Sequence, residues 1–250
     1  MRLLCVAGLM LAAGAAGAQS ATGGTPWDYS GNHGPLVWGK LDPAYKMCSD
    51  GHQQSPINIH GARLNKGLKP IDFHYVGGTV TVENDGHGIV VWVKPGSYME
   101  TGGVRYELKS FAFHHPSQHA FDGKLMDMDV ELMHESADGK KAIVEVRFAQ
   151  ERGTPNATMA TLWANLPLRA GEKKQTTQFV NAGGFLPADP GYWTYMGSLP
   201  TPPCTEGVRW FVFEQELSMS LNQLRQFESV FRMNSRPLQD LHGRRIEANE

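Results

Sequence analysis

The sequence predicts a mostly β, α+β chain folded as one large domain, and three features point that way. Hydrophobic residues make up 41% of 250 residues, enough for a packed core at a length that suits a single domain. The 28 Gly and 15 Pro supply dense turn punctuation. Between them run short segments in which apolar and polar residues alternate with the period of a strand. Net charge is −2, with acids and bases mixed and no basic run, which argues against nucleic acid as a partner.

Residues 1 to 18 read as a secretory signal: Arg2, an apolar run from Leu3 to Ala13, and Ala16-Gly17-Ala18 as a cleavage site before Gln19. The apolar run is too short to span a bilayer, and Cys5 leaves with it. The expected mature chain is residues 19 to 250, periplasmic or secreted, with no transmembrane segment. Cleavage leaves Cys48 and Cys204, and an even pair in an oxidising compartment favours a disulfide. Closing so long a loop is worth roughly 4–5 kcal/mol in the chain-entropy model.

After a leader through residue 26, Trp27, Tyr29 and Trp38 among glycines predict an irregular segment packed onto the domain. Strands follow over Ile71 to Tyr75, Thr79 to Glu83 and Ile89 to Lys94, with turns at Gly77-Gly78, Asp85-Gly86 and Pro95-Gly96. Lys141 to Ala149 is a further strand, with Glu145 and Arg147 on the face opposite Val144 and Val146; the simplest expectation for these two charges is a surface pair. Spacing of three and four predicts helices over Asn156 to Leu166 and Ser220 to Arg232.

The chemistry-bearing stretch runs from Arg105 to His134 and reads as two strands joined by a polar connection. With period two, Ser110, Ala112 and His114 share one face of the first strand. On the second, Asp127, Asp129, Glu131 and Met133 share a face. A buried carboxylate needs a partner. This acidic face is therefore either the solvated side of an edge strand or the floor of a polar cavity.

Several motifs in order resemble the α-carbonic anhydrase family. They are Gln53-Gln54-Ser55-Pro56, Glu83-Asn84-Asp85-Gly86-His87, Ala112-Phe113-His114, Ser117-Gln118-His119 and Asp129-Val130-Glu131. Ser198-Leu199-Pro200-Thr201-Pro202-Pro203-Cys204 and Asn234-Ser235-Arg236-Pro237 complete the set. The resemblance covers about residues 27 to 246. It implies one central twisted, mainly antiparallel sheet of about ten strands with short peripheral helices, a cis Ser55-Pro56 bond, and a Cys48–Cys204 bridge. Tyr29 falls at a cavity-lining position and His87 at the proton-shuttle position. The family's three zinc histidines fall on Ala112, His114 and Glu131. Its supporting Glu of E-x-H is Asp129, its Glu of S-E-H is Gln118, and the Thr that orients zinc-bound hydroxide is Pro200.

A catalytic zinc needs three protein ligands and an open position. Ala112 offers none, which leaves His114 and Glu131 as an incomplete metal site. No cofactor is expected, and zinc only through a non-standard site. The expectation is an exported carbonic-anhydrase-like protein whose pocket takes a small-molecule or saccharide ligand. Ala112, Gln118, Met133, Leu199, Pro200 and Thr201 would line that pocket. Two alternatives stand beside it. One is an acid/base enzyme using His114 with Glu131 or Asp129, with Tyr29 and His87 nearer the rim. The other is a carbonic anhydrase with a non-standard metal site. The sequence sets no oligomeric state.

Overall fold

A computed structural model describes residues 25–150 and 154–249; the expected signal, residues 1 to 18, lies outside them. The first strands are β1 (Asn58–Ile59), β2 (Arg63–Leu64), β3 (Asp72–His74), β4 (Thr81–Asn84), β5 (Ile89–Trp92) and β6 (Tyr98–Thr101). Next come β7 (Val104–His114), β8 (Ala120–Phe121), β9 (Lys124–Leu125), β10 (Met128–Ser136) and β11 (Lys141–Ala149). The last are β12 (Lys173–Gln175), β13 (Tyr192–Ser198), β14 (Glu206–Phe213), β15 (Leu217–Ser218) and β16 (Glu247–Ala248). The helices are short: α1 (Trp38–Leu41), α2 (Met47–Asp50), α3 (Ala157–Trp163) and α4 (Leu221–Glu228).

Among the described residues, 13 strands form one sheet whose main path is β12-β4-β5-β7-β10-β11-β14-β13-β16-β2, the ten-strand core that was expected. Most neighbours are antiparallel; β11 with β14 and β16 with β2 run parallel. The alternating apolar residues of β7 and β10 put Phe111, Phe113, Val130 and Leu132 on one face. There they pack with Leu162, Phe185, Leu224 and Phe227 in the main core. The other face of β11, β13 and β14 is sealed by a second cluster around Ile57, Ile143, Tyr195, Trp210 and Val212. Over β5, β7 and β10 that face carries the candidate site instead.

Both longer helices start where side chains satisfy the free N–H groups of the first turn. Asn156 accepts from the Met159 N–H, and Ser220 with Gln223 forms a capping box. Each ends earlier than its apolar spacing predicts. After α4, Val230 and Phe231 still pack on the core, but as one last turn in which both N–H groups donate to Phe227 O.

The N-terminal segment is pinned rather than loose. The Trp38 indole N–H donates to Asp28 O and His33 O, and Trp27, Tyr29 and Trp38 meet edge to face. Cys48 and Cys204 are bonded, which ties α2 to the loop after β13. Ser55-Pro56 is cis. Gly197 lets that segment approach β13: a Cβ there would stand 2.1 Å from Ser55 Oγ.

Candidate functional site

Strand pairing sets the floor of the site. Across β7 and β10, His114 faces Asp129 and Ala112 faces Glu131; across β10 and β11, Asp129 faces Arg147 and Glu131 faces Glu145. Paired residues project from the same side of a sheet. One cross-strand row is therefore Val90, Ala112, Glu131 and Glu145, and the next is His114, Asp129 and Arg147. The acidic face is thus an interior floor and not a solvated edge. Asp127 lies just outside the strand, where its carboxylate accepts from Gln150 N–H.

A cavity of about 160 Å³ opens over this floor. Ala112, His114 and Glu131 form its base, with Met133, Val90, Leu199 and Pro200 as apolar wall. Thr201, Tyr29, Trp27, Asp85 and His87 also line it.

His114, Asp129 and Glu131 are all buried, and one donor atom from each lies within 4.8 Å of the others. Of the two carboxylates offered as partners for His114, Glu131 makes no hydrogen bond to it, because the distance is 3.9 Å. His114 Nδ1–H instead donates to Asp129 Oδ1 at 2.9 Å. The shorter aspartate sits directly opposite in register, whereas Glu131 is one row away. The Gln118 backbone N–H donates to Asp129 Oδ2 at 2.6 Å, so both carboxylate oxygens are held. Glu131 Oε1 is buried and has no hydrogen-bond partner.

Electrostatics follow from this crowding. Burial opposes the His114 imidazolium, but the facing Glu131 and Asp129 carboxylates override it and raise His114 to about 9. Burial, reinforced by Glu145 and offset by His114, raises Asp129 to about 6. Burial pushes Glu131 well above the carboxylate range, more than His114 pulls it back. The three groups titrate as one cluster: charge on either carboxyl favours the proton on His114, and burial disfavours charge on all three.

Tyr29 is buried beside this cluster, and burial followed by Glu131 and Asp85 holds its phenol well above the ordinary range. His87 is fixed: its ring stacks on Trp27 at 3.7 Å, and Nε2–H donates to Trp27 O at 2.9 Å. Gln118, expected on this cavity, lies outside its lining. Its Oε1 accepts from Arg236 N–H, and its Nε2 has no partner.

The expected surface pair, Glu145 with Arg147, is buried, at 0% and 2% exposure. The two residues belong to the interior strand β11, and they serve different partners. Arg147 Nη2 donates to Phe213 O and Glu214 O, and the guanidinium lies over the Trp193 ring. Glu145 Oε2 accepts from His119 Nδ1–H. His119 Nε2 accepts from the Tyr195 hydroxyl at 2.6 Å, and Tyr195 Oη is 2.7 Å from Ser55 Oγ. Sequence reasoning gave His119 and Glu145 no role together. Two charges interrupting the apolar β11 were the available signal.

The family model for eukaryotic-type carbonic anhydrase matches residues 33–250. A carbonic anhydrase of Pectobacterium carotovorum is 37% identical over 228 residues, covering 91% of this chain and 92% of that protein. The α-carbonic anhydrase of Thermovibrio ammonificans, solved with the inhibitor sulfanilamide, aligns with a TM-score of 0.87 at 38% identity, over 90% of this chain and 100% of that one. Dioscorin complexed with ascorbate aligns with a TM-score of 0.82 at 28% identity, over 89% and 97%. The shared sheet, the motifs along it and the length of the match agree: this chain belongs to the α-carbonic anhydrase family.

Proposed function

We propose that this chain is an exported carbonic-anhydrase-fold protein whose central cavity binds a small hydroxylated molecule, a monosaccharide or an enediol, and does not hydrate CO2 through zinc. The observation carrying this reading is the hydrogen-bonded His114–Asp129 pair with an unpartnered Glu131 beside it.

The donor set does not fit the family's zinc. Ala112 supplies no ligand atom where the resemblance places the first histidine. Of the ring atoms of His114, Nδ1 is the one that meets both carboxylates, at 2.9 and 3.9 Å. With Nδ1–H bound to Asp129, Nε2 is the ring nitrogen left to His114 as a ligand, and together with Glu131 it makes two donors where a catalytic zinc needs three. Asp129 is already engaged through both oxygens. Pro200 has no hydroxyl with which to orient a bound hydroxide.

The ligand class follows from what the cavity leaves open. Glu131 Oε1 lacks a partner and lines the cavity, so an incoming hydroxyl would satisfy a buried acceptor. The aromatic Trp27–His87 stack and Met133, Leu199 and Pro200 offer apolar surface to a ring. A cavity of about 160 Å³ suits one small ring and not a chain of them. Ascorbate, the enediol bound by the structurally similar dioscorin, belongs to the same chemical class.

Calorimetric titration of the mature protein with ascorbate and a monosaccharide panel tests the reading. Saturable 1:1 binding that is lost in Glu131→Leu supports it. No binding by any of these, together with CO2 hydration above a heat-killed control, overturns it. The His114–Asp129 pair also favours a second reading, in which His114 acts as a general acid on a bound acetal or carbonyl. Turnover of the bound molecule, abolished by His114→Asn, would select that reading over binding alone.

A further inference from the structure

Tyr29 also lines a second, larger cavity of about 350 Å³. Its rim is apolar: Pro35, Leu36, Leu125, Met233 and Leu238 border it, and Leu36 is 92% exposed. Its polar lining includes Gln118 and Arg236, which are almost wholly buried.

Both of these side chains carry an unused donor. Arg236 Nη1 donates to Gln54 Oε1 and Ser55 O, and Nη2 to Cys48 O, while Nε–H has no partner. Gln118 gives its Oε1 to the Arg236 N–H and leaves Nε2 without an acceptor. Every acceptor described for the guanidinium is a neutral oxygen, so a buried cation lies beside an open cavity without a carboxylate in contact. Its burial is costly enough to pull Arg236 down to about 10. Buried charges are otherwise paired, and a guanidinium fork matches a carboxylate.

We propose that this second cavity binds a small organic carboxylate with an apolar body. The carboxylate oxygens accept from Arg236 Nε–H and Gln118 Nε2–H, and the body packs against Leu36, Met233 and Leu238. The site is separate from the central cavity, and its polar groups take no part in the hydroxylated-ligand reading.

The test is calorimetric titration of the mature chain with hexanoate and with 1-hexanol, which share the apolar body and differ in the head group. Hexanoate is expected to bind 1:1, roughly tenfold tighter than the alcohol. Gln118→Glu places a carboxylate beside Arg236 and should weaken hexanoate by roughly tenfold or more without lowering the melting temperature. Leu36→Asp, on the exposed rim, tests the same charge dependence without touching the buried floor and should weaken hexanoate as well. Ala112→Leu, which fills the central cavity, should leave hexanoate binding unchanged. Absence of hexanoate binding, or equal affinity for hexanol, overturns the proposal. So does loss of binding in Ala112→Leu, which would place the anion in the central cavity.

Discussion

His114 and His119 are both buried, and each donates to a carboxylate on a neighbouring strand, yet only His114 faces a cavity. Both ring nitrogens of His119 are bonded, and its chain runs through Tyr195 to Ser55 beside the Trp210 ring. At His114 the chain stops at the cavity floor, where Glu131 has an oxygen left over. The pairing of histidine with carboxylate is the same chemistry in both places. Both places hold an unpartnered carboxylate oxygen, Glu131 Oε1 and Glu145 Oε1, and open volume beside the first is what turns one pair into a candidate site.

The largest expected effect lies on the closed side. Glu145→Ala leaves His119 Nδ1–H without its acceptor in a sealed interior and should cost about 3–5 kcal/mol, read by urea unfolding. A loss below about 1 kcal/mol would break the contrast, because it would mean the His119 chain is not holding the fold together.

The next effect is in pH. His114 has its folded value raised to about 9, so its contribution is complete below its ordinary value and is lost as pH rises through about 9. Relative to His114→Asn, the wild type should lose roughly 2–3 kcal/mol between neutral pH and pH about 10. His134 supplies the opposite sign on the same strand as Asp129. It is buried neutral, with Nδ1–H donating to Leu132 O and Nε2 accepting from the Tyr75 hydroxyl, and burial lowers it to about 3. The unfolded chain takes up that proton first, so this contribution falls as pH drops from the ordinary histidine value toward about 3. Paired unfolding curves for His134→Gln and wild type at neutral and acid pH check it; acid sensitivity unchanged by the substitution would contradict the assignment.

The smallest effect on stability, and the sharpest on function, is expected at Glu131. This residue sits opposite Glu145 in register, but burial already opposes its charge and one of its oxygens is unpartnered. Glu131→Leu should change stability by no more than about 1 kcal/mol in either direction. The same change should weaken the hydroxylated ligand roughly tenfold or more. If Glu131→Leu unfolds the protein as Glu145→Ala does, the two carboxylates are equivalent and the distinction fails.

The sheet was legible because alternation carries over directly into faces: Phe111 and Phe113 went to the core, and Ala112 and His114 to the site. The disulfide was legible from Cys48 and Cys204 being the pair left after the signal. The ends of the helices were not, because the apolar spacing past Glu228 continues to pack without continuing to be helical. At the site, the family resemblance placed Ala112, His114 and Glu131 together but left open whether Glu131 or Asp129 pairs with His114, since alternation gives a face and not the cross-strand register. Glu145 and Arg147 were misjudged for a related reason. Charges on one strand look like a surface pair until the neighbours on either side are known, and here β10 and β14 enclose them. Gln118 lies next to Asp129 through its backbone while its side chain turns to a different cavity, a division that residue order does not reveal.

The most direct test of the central claim is zinc titration of chelator-stripped protein by calorimetry, with metal content measured after dialysis. The account predicts no stoichiometric zinc in the wild type. It predicts about one equivalent once Ala112→His, Glu131→His, Pro200→Thr and Gln118→Glu are combined, which rebuild the three-ligand site and its supports. One equivalent of zinc in the unaltered chain, lost in His114→Asn, would contradict it.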